Sequence, residues 1–288
     1  MYRIGVDSFI WSEAFSGKDV WIIPKAKELG FSTIDLSISK PFQFPLEAVR
    51  RELAETGLEA VTTTTLPLDG NLISPDPEVR RRGVLHMKKM IDINREIGSR
   101  ITGGVNYAAW GYLTKRPRTE REWDWSIEAM REVAHYARET SEVTICVECI
   151  NRFETHFLNI AADAVRYCDE VGTGNLKVHL DTFHMIREEK SFRGAVETCG
   201  KRYLGYIHVC ENDRGIPGTG LVPWKEFFQA VKDVDYDGPM VIESFDPDFE
   251  ELNGNCAIWR RLADSGEQLA VLGRAHLMRV AHEVWSRG

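Results

Sequence analysis

The chain has 288 residues, 43% of them hydrophobic and 28% charged, with a formal net charge of -8. That acidic balance argues against a nucleic-acid partner, which needs a basic face, and no apolar run approaches the roughly 20 residues that span a bilayer. The opening segment MYRIGVDSFIWSEAF lacks the basic start, long apolar middle and small-residue cleavage site of a signal peptide, so a cytoplasmic location is expected.

In chain order, Arg3 to Ile10 reads as a first strand, with a helix from Lys18 to Leu29 closed by Gly30. Ser32 to Ile38 is a second strand and Pro45 to Glu55 its helix; Ala60 to Thr65, rich in β-branched residues, fits a third. Asp76 to Ile97, opened by Ser74 and Pro75 and closed by Gly98, is a long, well-capped helix. Arg100 to Val105 is the fourth strand and Thr119 to Glu139 the next helix. Val143 to Val147 forms a fifth strand ending in Glu148, and Leu176 to Leu180 a sixth ending in Asp181, with a helix from Asn159 to Val171 between them. Ser191 to Cys199 is helical, Tyr203 to Val209 the seventh strand, Trp224 to Val234 a helix, Pro239 to Ser244 the eighth strand and Gly266 to Trp285 a last helix.

Strands alternating strictly with helices imply a parallel sheet, and eight such units close into a single-domain (β/α)8 TIM barrel over residues 1–288. A doubly wound open sheet would carry a Gly-rich fingerprint after its first strand, and Gly5-Val6-Asp7-Ser8 is not one. The six cysteines are expected to be reduced and structural. Cys146 and Cys149 form a C-x-x-C, but on a strand residues three apart face opposite ways, so they do not share a metal.

Chemistry in such a barrel sits at the carboxyl ends of the strands. There strand two offers Asp35, strand five Glu148, strand six Asp181 with His184 beyond it, strand seven His208 and strand eight Glu243. A single acid at a strand end is ordinarily a helix cap or a solvated loop residue. Glu148, Asp181, His208 and Glu243 on four consecutive strands make a stronger pattern, a mixed oxygen and nitrogen set suited to Mn2+, Co2+ or Mg2+. His86, His135, His156, His179, His276 and His282 read as structural or exposed. A metal holding adjacent oxygens of a hydroxyketone acidifies the neighbouring C–H, and flanking carboxylates can remove and return that proton.

Three stretches, ECINRFE (148–154), LDTFHM (180–185) and PGTGLVPW (217–224), resemble the ketose 3-epimerases, the D-tagatose and D-allulose (psicose) 3-epimerase group of the xylose-isomerase-like barrels. GGVNYAAWG (103–111) and IESF (242–245) fit more loosely, and the resemblance spans nearly the whole chain. It implies that Glu148, Asp181, His208 and Glu243 bind a divalent metal, Mn2+ or Co2+ ahead of Mg2+. It further implies that Glu148 and Glu243 work as acid and base on opposite faces of C3 of a free ketohexose or ketopentose, through a cis-enediolate. Glu154, His184 and Arg214 would then hold the O1 to O3 end of the sugar, with Trp110, Phe245, Phe9 and Trp11 as apolar walls, in a homodimer or homotetramer.

The chain departs from the pattern at Asp35, where relatives often have Glu, at Ser244, where they have Pro, in the hydroxyl-rich Thr62 to Thr65, and in a segment before His208 that is one residue longer. These departures are expected to touch the pocket away from the metal and so to bear on substrate choice. Three other readings remain: an aldose–ketose isomerase on the same scaffold, a non-catalytic sugar-binding protein, and a nuclease of the apurinic-endonuclease kind. The last needs more histidines at strand ends and a basic face.

Overall fold

A computed structural model describes residues 3–286. Met1, Tyr2, Arg287 and Gly288, the ends of the expected domain, lie outside the described residues. The strands are β1 (Ile4–Asp7), β2 (Thr33–Ser37), β3 (Glu59–Thr63), β4 (Ile101–Gly103), β5 (Thr144–Glu148), β6 (Leu176–Asp181), β7 (Leu204–His208) and β8 (Met240–Ile242). They pair in parallel in that order, and β8 closes on β1 with Ile4 opposite Met240 and Val6 opposite Ile242. Nearly every strand residue is buried, as expected when one face looks into the barrel and the other meets a helix.

Around the ring lie α1 (Ile22–Glu28), α2 (Leu46–Thr56), α3 (Pro77–Ile97), α4 (Glu120–Thr140), α5 (Ala161–Val171), α6 (Thr182–Glu188), α7 (Phe192–Tyr203), α8 (Trp224–Asp233), α9 (Glu250–Asn255) and α10 (Gly266–Trp285). The expected barrel is therefore present. None of the described helices is long and apolar enough to cross a membrane. The short helices α6 and α9 are additions at the carboxyl ends of β6 and β8, too brief for a periodic pattern to show in sequence.

Several expected strands end early, for local reasons. The first stops at Asp7, not Ile10, because the Asp7 carboxylate accepts the Phe9 N–H at 2.6 Å and turns Ser8–Ile10 into a 3-10 turn. The fourth stops at Gly103 because Gly104 adopts φ +99°, and a Cβ there would lie 2.2 Å from the Thr64 carbonyl oxygen. The pairing of β6 with β7 carries a bulge: Val178 pairs with Leu204 but His179 with Tyr206, so Gly205 is skipped, where a Cβ would lie 2.6 Å from Cys146 Sγ. Tyr206 and His208, two apart on β7, share one face of the strand.

An apolar plug of Val61, Cys146, Tyr206 and Val241, with Ile101 against it, fills the barrel interior. Above it the interior turns polar, so the plug is the floor of whatever the strand ends hold.

The start of α4 shows how firmly the outer shell is pinned. Thr119 and Glu122 form a reciprocal capping box, and Arg116 grips Glu122 through two 2.9 Å bonds. Burial alone would raise the Glu122 carboxyl, but Arg116 and the Thr119 amide outweigh it and lower it to about 2. A depressed carboxylate stabilises the fold above its unfolded pKa, about 4.3, and that contribution fades as pH falls. Glu122→Ala is expected to cost roughly 1–2 kcal/mol near neutrality. In urea titrations the gap to the parent should close as the pH approaches about 2. A gap that does not vary with pH would contradict this.

Candidate active site

Asp181 at the end of β6, His208 at the end of β7, Glu148 at the end of β5 and Glu243 just past β8 each offer one ligand atom, all within 4.8 Å of one another. Asp181 and His208 are essentially inaccessible, Glu148 is buried, and the Glu243 side chain is 13% exposed. The four candidate ligands therefore do converge.

His208 carries the most informative geometry. Its Nε2 lies 3.1 Å from Asp35 Oδ2, and its Nδ1 lies 3.3 Å from Glu243 Oε2 without making a hydrogen bond. With one ring proton on Nε2 and shared with Asp35, Nδ1 faces a carboxylate oxygen. Two acceptors that close need a proton or a cation between them. Burial disfavours charging His208, but Glu243 and Asp35 outweigh it and push the imidazole well above its ordinary range. Three carboxylates and one imidazole fit a hard or borderline divalent ion, and the unpartnered Nδ1 is where this chain shows the fit.

Two departures expected to lie away from the metal ligands sit against them instead. Asp35 accepts from His208, from the Tyr206 hydroxyl and from Thr63 Oγ1 (3.2 Å). Ser244 donates its hydroxyl to the carbonyl of Arg214. The hydroxyl-rich stretch is divided by strand geometry. Thr62 bonds outward to Asn94 and Thr102, Thr63 inward to Asp35 and Ser37, Thr64 to His86, and Thr65 alone lines the substrate-sized cavity. Behind Asp35 lies Asp7, whose Oδ2 is 2.8 Å from Ser37 Oγ. Burial, then the charge of Asp35, raises the Asp7 carboxyl well above the usual range.

The two glutamates respond in opposite directions. Burial, reinforced by the charge of Glu243, pushes Glu148 well up. Burial would also raise Glu243, but Arg214 and His208 overcome it and hold that carboxyl far below the usual range. Their proton affinities are pushed apart, the asymmetry that marks acid and base partners.

Over these residues opens a cavity of about 160 Å³, lined by Glu148, Glu154, His184, Arg214 and Glu243 on its polar side. Phe9, Trp110 and Phe245 form its expected apolar wall, joined by Thr65, Val105 and Ile150 from the expected strand ends and motifs, and by Leu252, Asn255 and Cys256, which carry no strand-end or motif signal in the sequence. Trp11 is not among the lining residues. It follows the 3-10 turn that ends β1 and packs half-buried against the core.

The polar side is tightly wired. Arg214 Nη1 bridges Asp181 Oδ2 (2.8 Å) and Glu243 Oε2 (2.6 Å), and its guanidinium lies 4.0 Å from the centre of the Phe183 ring. The Asn151 amide donates to His184 Nδ1 (3.1 Å), and His184 Nε2 lies 3.3 Å from Arg214 Nη2 and 3.8 Å from carboxylate oxygens of both Glu148 and Asp181. Glu154 is held by Asn151 Nδ2 (2.6 Å) and by Trp110 Nε1 (2.8 Å). Arg214 takes a left-handed φ of +65°, uncommon for a side chain of this size, and its loop is shaped by Glu211. That buried carboxylate accepts from the amides of Asn212 (3.0 Å), Gly218 (2.8 Å) and Val222 (3.0 Å) and from Trp224 Nε1 (3.0 Å). The PGTGLVPW stretch is thus the loop that wraps Glu211.

Residues 23–275 match the family model of the xylose isomerase-like TIM barrel. An L-ribulose 3-epimerase from Mesorhizobium japonicum is 32% identical over 280 residues, covering 96% of this chain and 93% of its own. A D-psicose 3-epimerase from Ruminiclostridium cellulolyticum is 32% identical, covering 92% and 91%. The structure of a D-allulose 3-epimerase from Methylomonas sp. in complex with D-allulose matches with a TM-score of 0.91 at 30% identity, covering 96% of each chain.

The chain belongs to the ketose 3-epimerases.

It is accordingly an isomerase of the carbohydrate 3-epimerase type. In this epimerase the loop bearing Arg214 depends on Glu211, a residue that sequence reasoning passes over because it stands beyond the strand end. Since hydrogen bonds to a charged group contribute about 1.5–3 kcal/mol each and are not additive, Glu211→Ala should lower stability by on the order of 3 kcal/mol. Hydrogen exchange at the Gly218 and Val222 amides should quicken with it. Unchanged protection at both amides would show that the loop does not hang on Glu211.

Proposed function

We propose that this epimerase interconverts the C3 epimers of a free ketose, a ketohexose or ketopentose, with Glu148 and Glu243 exchanging the C3 proton from opposite faces. The observation that carries this reading is the pair itself. Two carboxyl groups from strands three apart in the ring border one cavity, one favouring its proton and the other its anion. The names of the relatives, L-ribulose and D-psicose 3-epimerase, and the D-allulose bound to one of them support a ketose as substrate.

Glu148, Asp181, His208 and Glu243 would hold a divalent cation, Mn2+ or Co2+. Such an ion, when bound, polarises the ketone and makes the adjacent C3–H acidic. Glu154, His184 and Arg214 present two basic side chains and one acidic one along the polar wall, matched to the O1 to O3 end of the sugar. The ionised glutamate takes the C3 proton as the sugar becomes an enediolate. The protonated glutamate then delivers its own proton to the other face of the same carbon, which inverts it. No electrons leave the sugar, and the two carboxyl groups end with their protonation exchanged. Phe9, Trp110 and Phe245 exclude water beside C3, which keeps the protonation stereospecific.

General acid–base groups contribute about 10²–10⁴ in rate. Glu148→Gln and Glu243→Gln are each expected to lower kcat for C3 epimerisation by that factor, while the folded variants still bind ketose. Turnover at the parent rate in either variant would contradict the two-glutamate reading. Adding Mn2+ to chelator-stripped protein should raise Tm, since saturation at about 100 times Kd contributes about 2.7 kcal/mol. His208→Ala should abolish that rise; a rise that survives the substitution would place the ion elsewhere.

A further inference from the structure

We propose that Asp35 is the positioning residue for His208: its carboxylate holds the Nε2–H, fixes the plane of the ring and leaves Nδ1 bare towards Asp181, Glu148 and Glu243. The inference rests on the metal reading above and adds a residue that contacts neither sugar nor ion.

The geometry is specific. Asp35 is completely buried on β2, across the barrel from β6, and its Oδ2 is 3.1 Å from His208 Nε2. An imidazole can present a lone pair at one nitrogen only when its proton is committed to the other. Nothing else among the described residues is shown bonding to Nε2 of His208, and nothing bonds to its Nδ1. Asp35 is itself fixed from two further directions. The Tyr206 hydroxyl donates to the same Oδ2, and Thr63 Oγ1 donates to Oδ1 at 3.2 Å. A carboxylate serving only as a packing element would not need three donors aimed at it.

Tyr206 belongs to the apolar plug, and His179 packs edge-on against the His208 ring with centroids 4.3 Å apart. The imidazole is therefore clamped in two ways: His179 and Tyr206 limit its tilt, and Asp35 sets its rotation and tautomer. Carboxylate partners of this kind typically matter 10- to 100-fold in metal affinity. Their loss tilts or re-tautomerises the ligand without removing it.

The test combines two readouts on full-length protein, with Asp35→Leu, Asp35→Asn and Asp35→Glu. Long-range 1H–15N spectra of histidine-labelled, chelator-stripped protein report the His208 tautomer, assigned by its disappearance in His208→Ala. Competition with a calibrated chelator reports Mn2+ affinity. The parent should show a proton held at Nε2, the nitrogen that faces Asp35. Asp35→Leu should lose it and bind Mn2+ about 10- to 100-fold more weakly, with kcat recovering at saturating Mn2+. Asp35→Glu should keep both properties. Asp35→Asn, which retains shape and an acceptor oxygen, guards against a variant that does not fold and should fall between. An unchanged tautomer together with unchanged Mn2+ affinity in folded Asp35→Leu or Asp35→Asn would overturn the proposal. Parent protein that binds no Mn2+ would overturn the metal reading instead, and the tautomer would still report whether Asp35 governs the ring.

Discussion

The site is governed by crowded negative charge. Asp7, Asp35, Glu148, Asp181 and Glu243 crowd the carboxyl ends of four parallel strands and the residue just past a fifth, above an apolar floor. Buried carboxylates that close to one another cannot all ionise unless positive charge is supplied. The chain supplies part of it through Arg214 and His208, and relieves part by raising the carboxyls of Asp7 and Glu148. The three carboxylates and the imidazole that face one another at the strand ends are a set suited to a divalent cation. The same crowding separates the two glutamates into a proton donor and a proton acceptor. Binding and chemistry share one electrostatic cause.

Holding such a cluster requires that each member be braced from behind. Asp35 steadies His208, and Asn151 steadies both His184 and Glu154. Glu211 gathers the β7–α8 loop so that Arg214 can reach Asp181 and Glu243. Ser244 closes the loop onto β8 by donating to the Arg214 carbonyl. Much of the polar side chain content of the barrel mouth is spent on orientation, which suits a reaction whose outcome is a single inverted carbon.

The barrel was legible in the sequence because its signals are local and repeated. Each strand is a short buried run such as TICVE or LKVHLD, and α3 closes at Gly98 as expected while its cap falls on Asp76 and Pro77, two residues beyond the expected Ser74 and Pro75. The four convergent ligands were legible because a buried strand ending in an acid or histidine conflicts with its own burial, and the conflict shows in one dimension. Asp35 was visible as an acid within an apolar strand, but not its partner, since the His208 contact joins residues 173 apart. Glu211 and Trp11 show the two ways the reading runs out. Glu211 works through a loop fold that no periodicity encodes, and Trp11 lies past a turn set by one side-chain bond from Asp7. The bulge at Gly205 shows only in the pairing with β6, which no local signal encodes.

The central claim is that Glu148 and Glu243 exchange one proton each at C3 of a ketose under a shared cation. Its most direct measurement is isotope exchange in D2O, following D-fructose, D-tagatose, D-allulose and ribulose by NMR with chelator-stripped protein, with and without Mn2+ or Co2+. Deuterium entering at C3, with the C3 epimer appearing only when metal is present, is the predicted result. Deuterium at C1 or C2 with an aldose as product would contradict it, and would make the enzyme an aldose–ketose isomerase built on the same carboxylates.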